Sequence, residues 1–127
     1  MKGIILAGGL ATRLRPLTWV TNKHLLPIYN KPMIFFPLEA MVRAEIQDVL
    51  ITSSFDHAGH FVNLLKGGED FGLKIKYAVQ KNPKGGIADA IKLGEDFANN
   101  QKLLVILGDS IFTYNLSQSV ERFKKRE

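Results

Sequence analysis

The sequence contains no cysteine, so disulfides and thiolate metal sites are excluded. No apolar stretch approaches the ~20 residues that cross a bilayer. The runs from Ile4 to Ala7 and from Leu103 to Leu107 are only strand-sized. The N-terminus lacks a charged segment followed by an apolar run and a small-residue cleavage site, and the expected compartment is therefore the cytoplasm. Two phosphate fingerprints are also missing: the glycines form neither G-x-x-x-x-G-K-[ST] nor G-x-G-x-x-G. Ser53 and Ser54 stand where an NAD-binding fold places an acid for the ribose, which disfavours a dehydrogenase. Internal repeats, low-complexity tracts and linkers are absent as well.

What is present is a chain of 127 residues, 46% apolar and 23% charged. That is the composition of one domain, long enough to hide roughly two thirds of its unfolded surface in a core. Seventeen Lys and Arg against twelve Asp and Glu give a formal charge of +5, which suits anionic partners such as nucleotides, sugar phosphates or nucleic acid. The basic run Arg122 to Arg126 reads as a solvated helix end that complements the helix dipole, and nucleic acid is not the expected partner.

Apolar periodicity predicts strands over Lys2–Ala7, Asp48–Thr52, Leu73–Val79 and Leu103–Leu107. Three are continuous apolar runs, as expected of strands buried on both faces, whereas Leu73–Val79 alternates like a strand nearer an edge. Helical spacing appears over Met33–Ala44, with Pro37 in the first turn or at a bend, and over His57–Lys66, Gly86–Ala98 and Ser117–Arg126. The order βαβαβαβα predicts an α/β domain with a mostly parallel sheet of about four strands and flanking helices. Residues 8–32 fit neither pattern. They hold Gly8, Gly9, three of the five prolines, Arg13, Arg15, Lys23 and Lys31, and connections of this length in compact domains are usually functional or disordered.

Ligands of open parallel sheets bind outside the carboxyl ends of the strands. Strand one is followed by Gly8-Gly9-Leu10-Ala11-Thr12-Arg13, strand two by Ser53-Ser54, strand three by Gln80 and strand four by Gly108-Asp109. Small residues let backbone N–H groups approach phosphates, Arg13 offers a planar fork and Lys23 a point charge. The competing readings are a tight strand exit for the glycines and solvated cations on a loop. Asp109 is either a Mg²⁺ ligand or a helix N-cap. Gln80 either begins an ordinary turn through Asn82-Pro83-Lys84-Gly85-Gly86 or offers its amide to the O4 acceptor and N3 donor of a pyrimidine. His57 and His60 beside Asp56 read as a partly exposed helix face, not a zinc site.

The motifs Met1-Lys2-Gly3-Ile4-Ile5-Leu6-Ala7-Gly8-Gly9, Thr12-Arg13-Leu14-Arg15-Pro16-Leu17-Thr18, Lys23-His24-Leu25-Leu26-Pro27-Ile28-Tyr29, Lys31-Pro32-Met33-Ile34 and Leu107-Gly108-Asp109-Ser110-Ile111-Phe112 occur in one order along the chain. In these the sequence resembles the N-terminal half of the sugar-phosphate nucleotidyltransferases, most closely the thymidylyl-transferring members. The resemblance covers essentially all of residues 1–127, which it makes the nucleotide-binding half of such a domain. It implies a Rossmann-like fold and Mg²⁺-dependent transfer of a nucleoside monophosphate, dTMP before UMP, from dTTP or UTP to a sugar 1-phosphate such as glucose 1-phosphate, releasing pyrophosphate. By position, the backbone of Gly8, Gly9 and Ala11 would line the nucleotide, and Arg13 with Lys23 would bind its phosphates as the catalytic cations. Gln80 with Gly85 or Gly86 would read the base, and Asp109 would bind the metal.

Two departures accompany the resemblance: Ala11 replaces a usual glycine, and the Gln80-to-Gly86 spacing is one residue longer. In the family a second half supplies another metal-binding aspartate, a lysine for the sugar phosphate and most of the sugar pocket. A fragment, a truncated product and a non-catalytic nucleotide-binding or assembly module all remain open at this point. A homo-oligomer or a complementing second half is the expected protein partner, with no membrane association.

Overall fold

A computed structural model describes residues 1–82 and 84–126; Pro83 of the predicted turn lies outside them. Four strands, β1 (Lys2–Ala7), β4 (Asp48–Ser54), β5 (Lys74–Gln80) and β6 (Leu103–Leu107), form one sheet in the order β5-β4-β1-β6. Every pairing in it is parallel, with Ile4 beside Leu50 and Val105, and Ser54 beside Gln80. The remaining strands, β2 (Pro27–Ile28) and β3 (Lys31–Pro32), make a small antiparallel ladder inside the long connection.

Because side chains alternate along a strand, central β1 feeds two cores. Ile5 and Ala7 pack on one face with Ile34, Leu38 and Met41 of the α2 region (α2, Phe35–Arg43), Phe61 and Leu65 of α3 (Ala58–Leu65) and Val120 of α6 (Ser117–Lys124). Ile4 and Leu6 face the other way with Leu50 and Ala90. Helices α4 (Ile87–Lys92) and α5 (Glu95–Ala98) cover that second face. Pro37 is the third residue of α2, where no N–H is required of it.

Three expectations need correction. The predicted helix Gly86–Ala98 is two helices, broken at Leu93–Gly94, where Gly94 sits so close to Ile4 and Leu50 that a Cβ would stand 2.5 Å from Ile4 Cδ1. Strand β6, expected to be buried on both faces, is an edge strand with Val105 37% and Leu107 42% exposed. Its apolar run records side-chain character and carries no information on which strand pairs with its far edge. Residues 8–32, in which no helix was expected, contain α1 (Leu17–Val20) and two 3₁₀ turns, Thr12–Leu14 and Lys23–Leu25.

Candidate functional site

The carboxyl ends of β5, β1 and β6 open on one edge of the sheet, and a cavity of about 310 Å³ lies between the loops that leave them. Gly8, Gly9, Lys23, Gln80, Gly85, Gly86 and Asp109 line it, together with His24 and apolar Leu6, Ile87, Ala90 and Leu107. Ala11 and Arg13 are placed elsewhere: they line an adjoining cavity of about 560 Å³ with Leu10, Thr12 and Leu14. Lys23 lines both. The Ser53 and Ser54 hydroxyls, counted above among the groups at the strand ends, are not available at either cavity, because both residues are buried inside β4.

Local backbone shape explains the first loop. Gly9 has φ +98 and Ala11 φ +44, so the chain turns twice through the left-handed region, where L residues other than glycine are strained by roughly 1–2 kcal/mol. The usual preference for glycine at position 11 is therefore met here by the smallest side chain that still carries a Cβ. Thr18 Oγ1 donates to the Ala11 carbonyl at 2.9 Å and fixes the turn from behind.

Gln80 is buried at the end of β5. Its Nε2 lies 3.5 Å from the Gly86 carbonyl, and its Oε1 faces Gly8, where a Cβ would stand 3.0 Å away. Among the described residues this long contact is the amide's one hydrogen bond, which leaves most of its capacity unused there. Gly85 is the closely approached member of the glycine pair. A Cβ there would be 2.5 Å from Gln80 Nε2 and 2.6 Å from Asp89 Oδ2, whereas one on Gly86 would meet open space.

At the opposite wall Lys23 Nζ donates to Asp109 Oδ2 at 2.6 Å, with both side chains about one third exposed (33% and 39%). The capping alternative for Asp109 fails, since the residue sits in a turn and the next helix, α6, starts only at Ser117. The Lys23 hydrogen bond and charge hold the Asp109 carboxyl below its ordinary pKa against the opposing effect of burial. His24, 3% exposed beside this pair, has its pKa lowered to about 4, first by burial and then by the Lys23 charge, with Asp109 opposing. Sequence reasoning did not single out His24 or its neighbour Asn22, whose side chain accepts the His24 N–H as the cap of the Lys23–Leu25 turn. A cap-forming residue before a lysine in a proline-rich connection was the available signal. No group of three or more His, Cys, Asp or Glu able to hold a metal is found among the described residues, and among them no helix is long and apolar enough to cross a membrane.

Fold and site together define an α/β protein whose ligand edge combines cations, a carboxylate and an amide. The family model described as nucleotidyl transferase matches residues 2–127, and the chain belongs to that family. The glucose-1-phosphate thymidylyltransferase of Neisseria meningitidis serogroup A is 48% identical over 112 residues, covering 88% of this chain and 38% of its own length. A Bacillus anthracis protein provisionally assigned as a glucose-1-phosphate thymidylyltransferase, solved with sucrose, superposes with a TM-score of 0.96 at 45% identity, over 100% of this chain and 51% of that one. A UDP-glucose pyrophosphorylase complexed with UDP-glucose superposes with a TM-score of 0.78 at 26% identity, over 98% and 53%. The chain thus spans about two fifths to one half of the length of these relatives.

Proposed function

We propose that this chain is the nucleotide-binding half of an enzyme that transfers a nucleoside monophosphate, dTMP in preference to UMP, from the triphosphate to glucose 1-phosphate. The observation that carries the reading is the joining of Gly8–Gly9, Gln80, Lys23 and Asp109 in one cavity at the sheet's carboxyl edge. The names of the thymidylyltransferase relatives and the UDP-glucose held by the more distant one support the substrate class.

In this reaction a phosphate oxygen of the sugar 1-phosphate bonds to the α-phosphorus, the bond from that phosphorus to the β-bridging oxygen breaks, and pyrophosphate leaves with the electron pair. The attacking oxygen is already anionic, so no general base is required. Catalysis reduces to alignment and to neutralising charge around the α-phosphorus. Arg13 and Lys23 act as those cations, Arg13 from one cavity and Lys23 from the border that the two cavities share. The backbone at Gly8, Gly9 and Ala11 lies against the nucleotide, and the Gln80 amide, held near Gly85 and Gly86, pairs with O4 and N3 of thymine or uracil.

Asp109 fits a Mg²⁺ ligand because that ion is commonly held by one or two carboxylates, with the substrate's phosphates and waters completing its shell. When bound, Mg²⁺ neutralises phosphate charge and acts as a Lewis acid. Asp109 would then exchange Lys23 for the ion, which would leave the lysine free for phosphate. An exposed ion pair of this kind contributes only about 0–1 kcal/mol, so the exchange is not costly. Asp109→Asn is expected to abolish most of the Mg²⁺ enhancement of dTTP binding, measured by calorimetry with and without the metal, while the far-UV spectrum stays unchanged. Full Mg²⁺ enhancement in the variant removes Asp109 from the metal site.

A further inference from the structure

In the connection 8–32 two polar residues are almost completely buried, Asn22 at 2% and His24 at 3% exposure. Between them stands Lys23, whose side chain is one third exposed. Buried polar groups are kept where they find hydrogen-bond partners, and Asn22 finds them at both ends of its amide. Its Nδ2 donates to the Ala7 carbonyl at 3.1 Å, the last residue of β1. Its Oδ1 accepts the His24 backbone N–H at 2.9 Å and lies 2.6 Å from His24 Nδ1. A backbone N–H can only donate, which fixes the orientation of the amide and places the ring proton on Nδ1.

His24 extends the same fastening. Its carbonyl accepts the Ile34 N–H at 2.8 Å, at the start of α2. Its ring lies against Gly108 so closely that a Cβ there would stand 2.6 Å from Cδ2. The residues on both sides of Lys23 are thereby tied to β1, to α2 and to the residue preceding Asp109. A lysine on an untethered loop spreads over many rotamers and backbone positions. Here only its own torsions remain, and Nζ is delivered to Asp109.

We propose that Asn22 is a positioning residue, which acts through Lys23 by clamping the connection to the end of β1 and to His24. The inference rests on the phosphate role given above to Lys23. The alternative, a clamp that only stabilises the fold, gives a different pattern in a double-mutant cycle.

The test is calorimetric titration of the chain with dTTP and with thymidine, for Asn22→Ala, Lys23→Ala and the double variant. Loss of a charge-assisted contact lowers affinity about ten- to a hundredfold, so Lys23→Ala should weaken dTTP by about that factor and leave thymidine nearly unchanged. Asn22→Ala is expected to weaken dTTP at least about fivefold with little effect on thymidine, and to cause no further loss once Lys23 is alanine. If Lys23→Ala has its effect and the Asn22→Ala loss persists undiminished on that background, or falls equally on thymidine, the positioning role is wrong while the phosphate role stands. If Lys23→Ala leaves dTTP binding unchanged, the phosphate role fails and the inference with it. Should Asn22→Ala not fold, Asn22→Ser, which keeps a cap acceptor for the His24 N–H and loses the tie to Ala7, enters the same cycle with the same expected pattern.

Discussion

Acid should destabilise this chain through one residue. The His24 pKa is lowered from the ordinary 6.5 to about 4, because its ring is buried beside the Lys23 charge and a proton added to it finds little solvation. The unfolded chain takes up that proton near pH 6.5 while the folded chain resists it until about pH 4. Stability is therefore fully present above pH 6.5 and is lost as pH falls through this window. At 1.36 kcal/mol per pH unit the shift corresponds to about 3 kcal/mol, most of it gone by pH 4.5. Urea unfolding followed by tryptophan fluorescence or circular dichroism at pH 7.5, 6.5, 5.5 and 4.5 measures it. With a slope of about 1–3 kcal/mol/M, the midpoint should fall by about 1–3 M. Asp109, whose pKa is lowered, adds its own loss only below the ordinary carboxylate value of 3.8, outside this range. In His24→Asn, which keeps a donor near the Nδ1 position and cannot titrate, the pH dependence over this window should flatten. A variant that keeps the wild-type slope between pH 7.5 and 4.5 would refute the assignment to His24.

Two predictions concern recognition of the nucleotide. Arg13→Ala should weaken dTTP binding by about one to two decades, the contribution of a charge-assisted hydrogen bond, and thymidine far less; equal losses in calorimetry would reject its phosphate role. In thermal shift, dTTP and UTP should raise the melting temperature more than CTP, whose pyrimidine presents a reversed donor and acceptor pattern to the Gln80 amide. Gln80→Ala should erase that difference, and unchanged discrimination would mean that the base is read elsewhere.

The parallel sheet was legible because burial on both faces imposes a composition. Ile4-Ile5-Leu6-Ala7 and Val49-Leu50-Ile51 must be apolar throughout when helices cover both sides. The site was legible for a topological reason, since the rule that ligands meet the carboxyl ends of parallel strands points to Gly8, Gln80 and Asp109 without any distance being known. The illegible features depend on pairing partners and backbone states that residue type does not state. Whether Leu103–Leu107 lies inside the sheet or at its edge is decided by what pairs with it, not by its own side chains. The left-handed turn at Ala11 is a backbone state that alanine permits but does not announce. Asn22 and His24 escaped notice because a buried polar residue in a loop has no periodicity, and its bonds run to Ala7 and to the ring of the neighbour itself.

Under the proposed function the two cavities divide the work. A nucleoside triphosphate carries most of its negative charge at one end and a nearly neutral base at the other, so one uniformly basic pocket would serve it poorly. Here the cavity of about 310 Å³ offers the Gln80 amide and apolar Leu6, Ile87 and Ala90, whereas the adjoining one carries Arg13 on a turn shaped by Gly9 and Ala11. Lys23 is the side chain common to both, and the proposed function assigns it to the phosphates. A lysine in that role must be held accurately yet remain able to change partners. The buried anchors Asn22 and His24 supply the first requirement, and the one-third-exposed, weakly stabilising pair with Asp109 supplies the second.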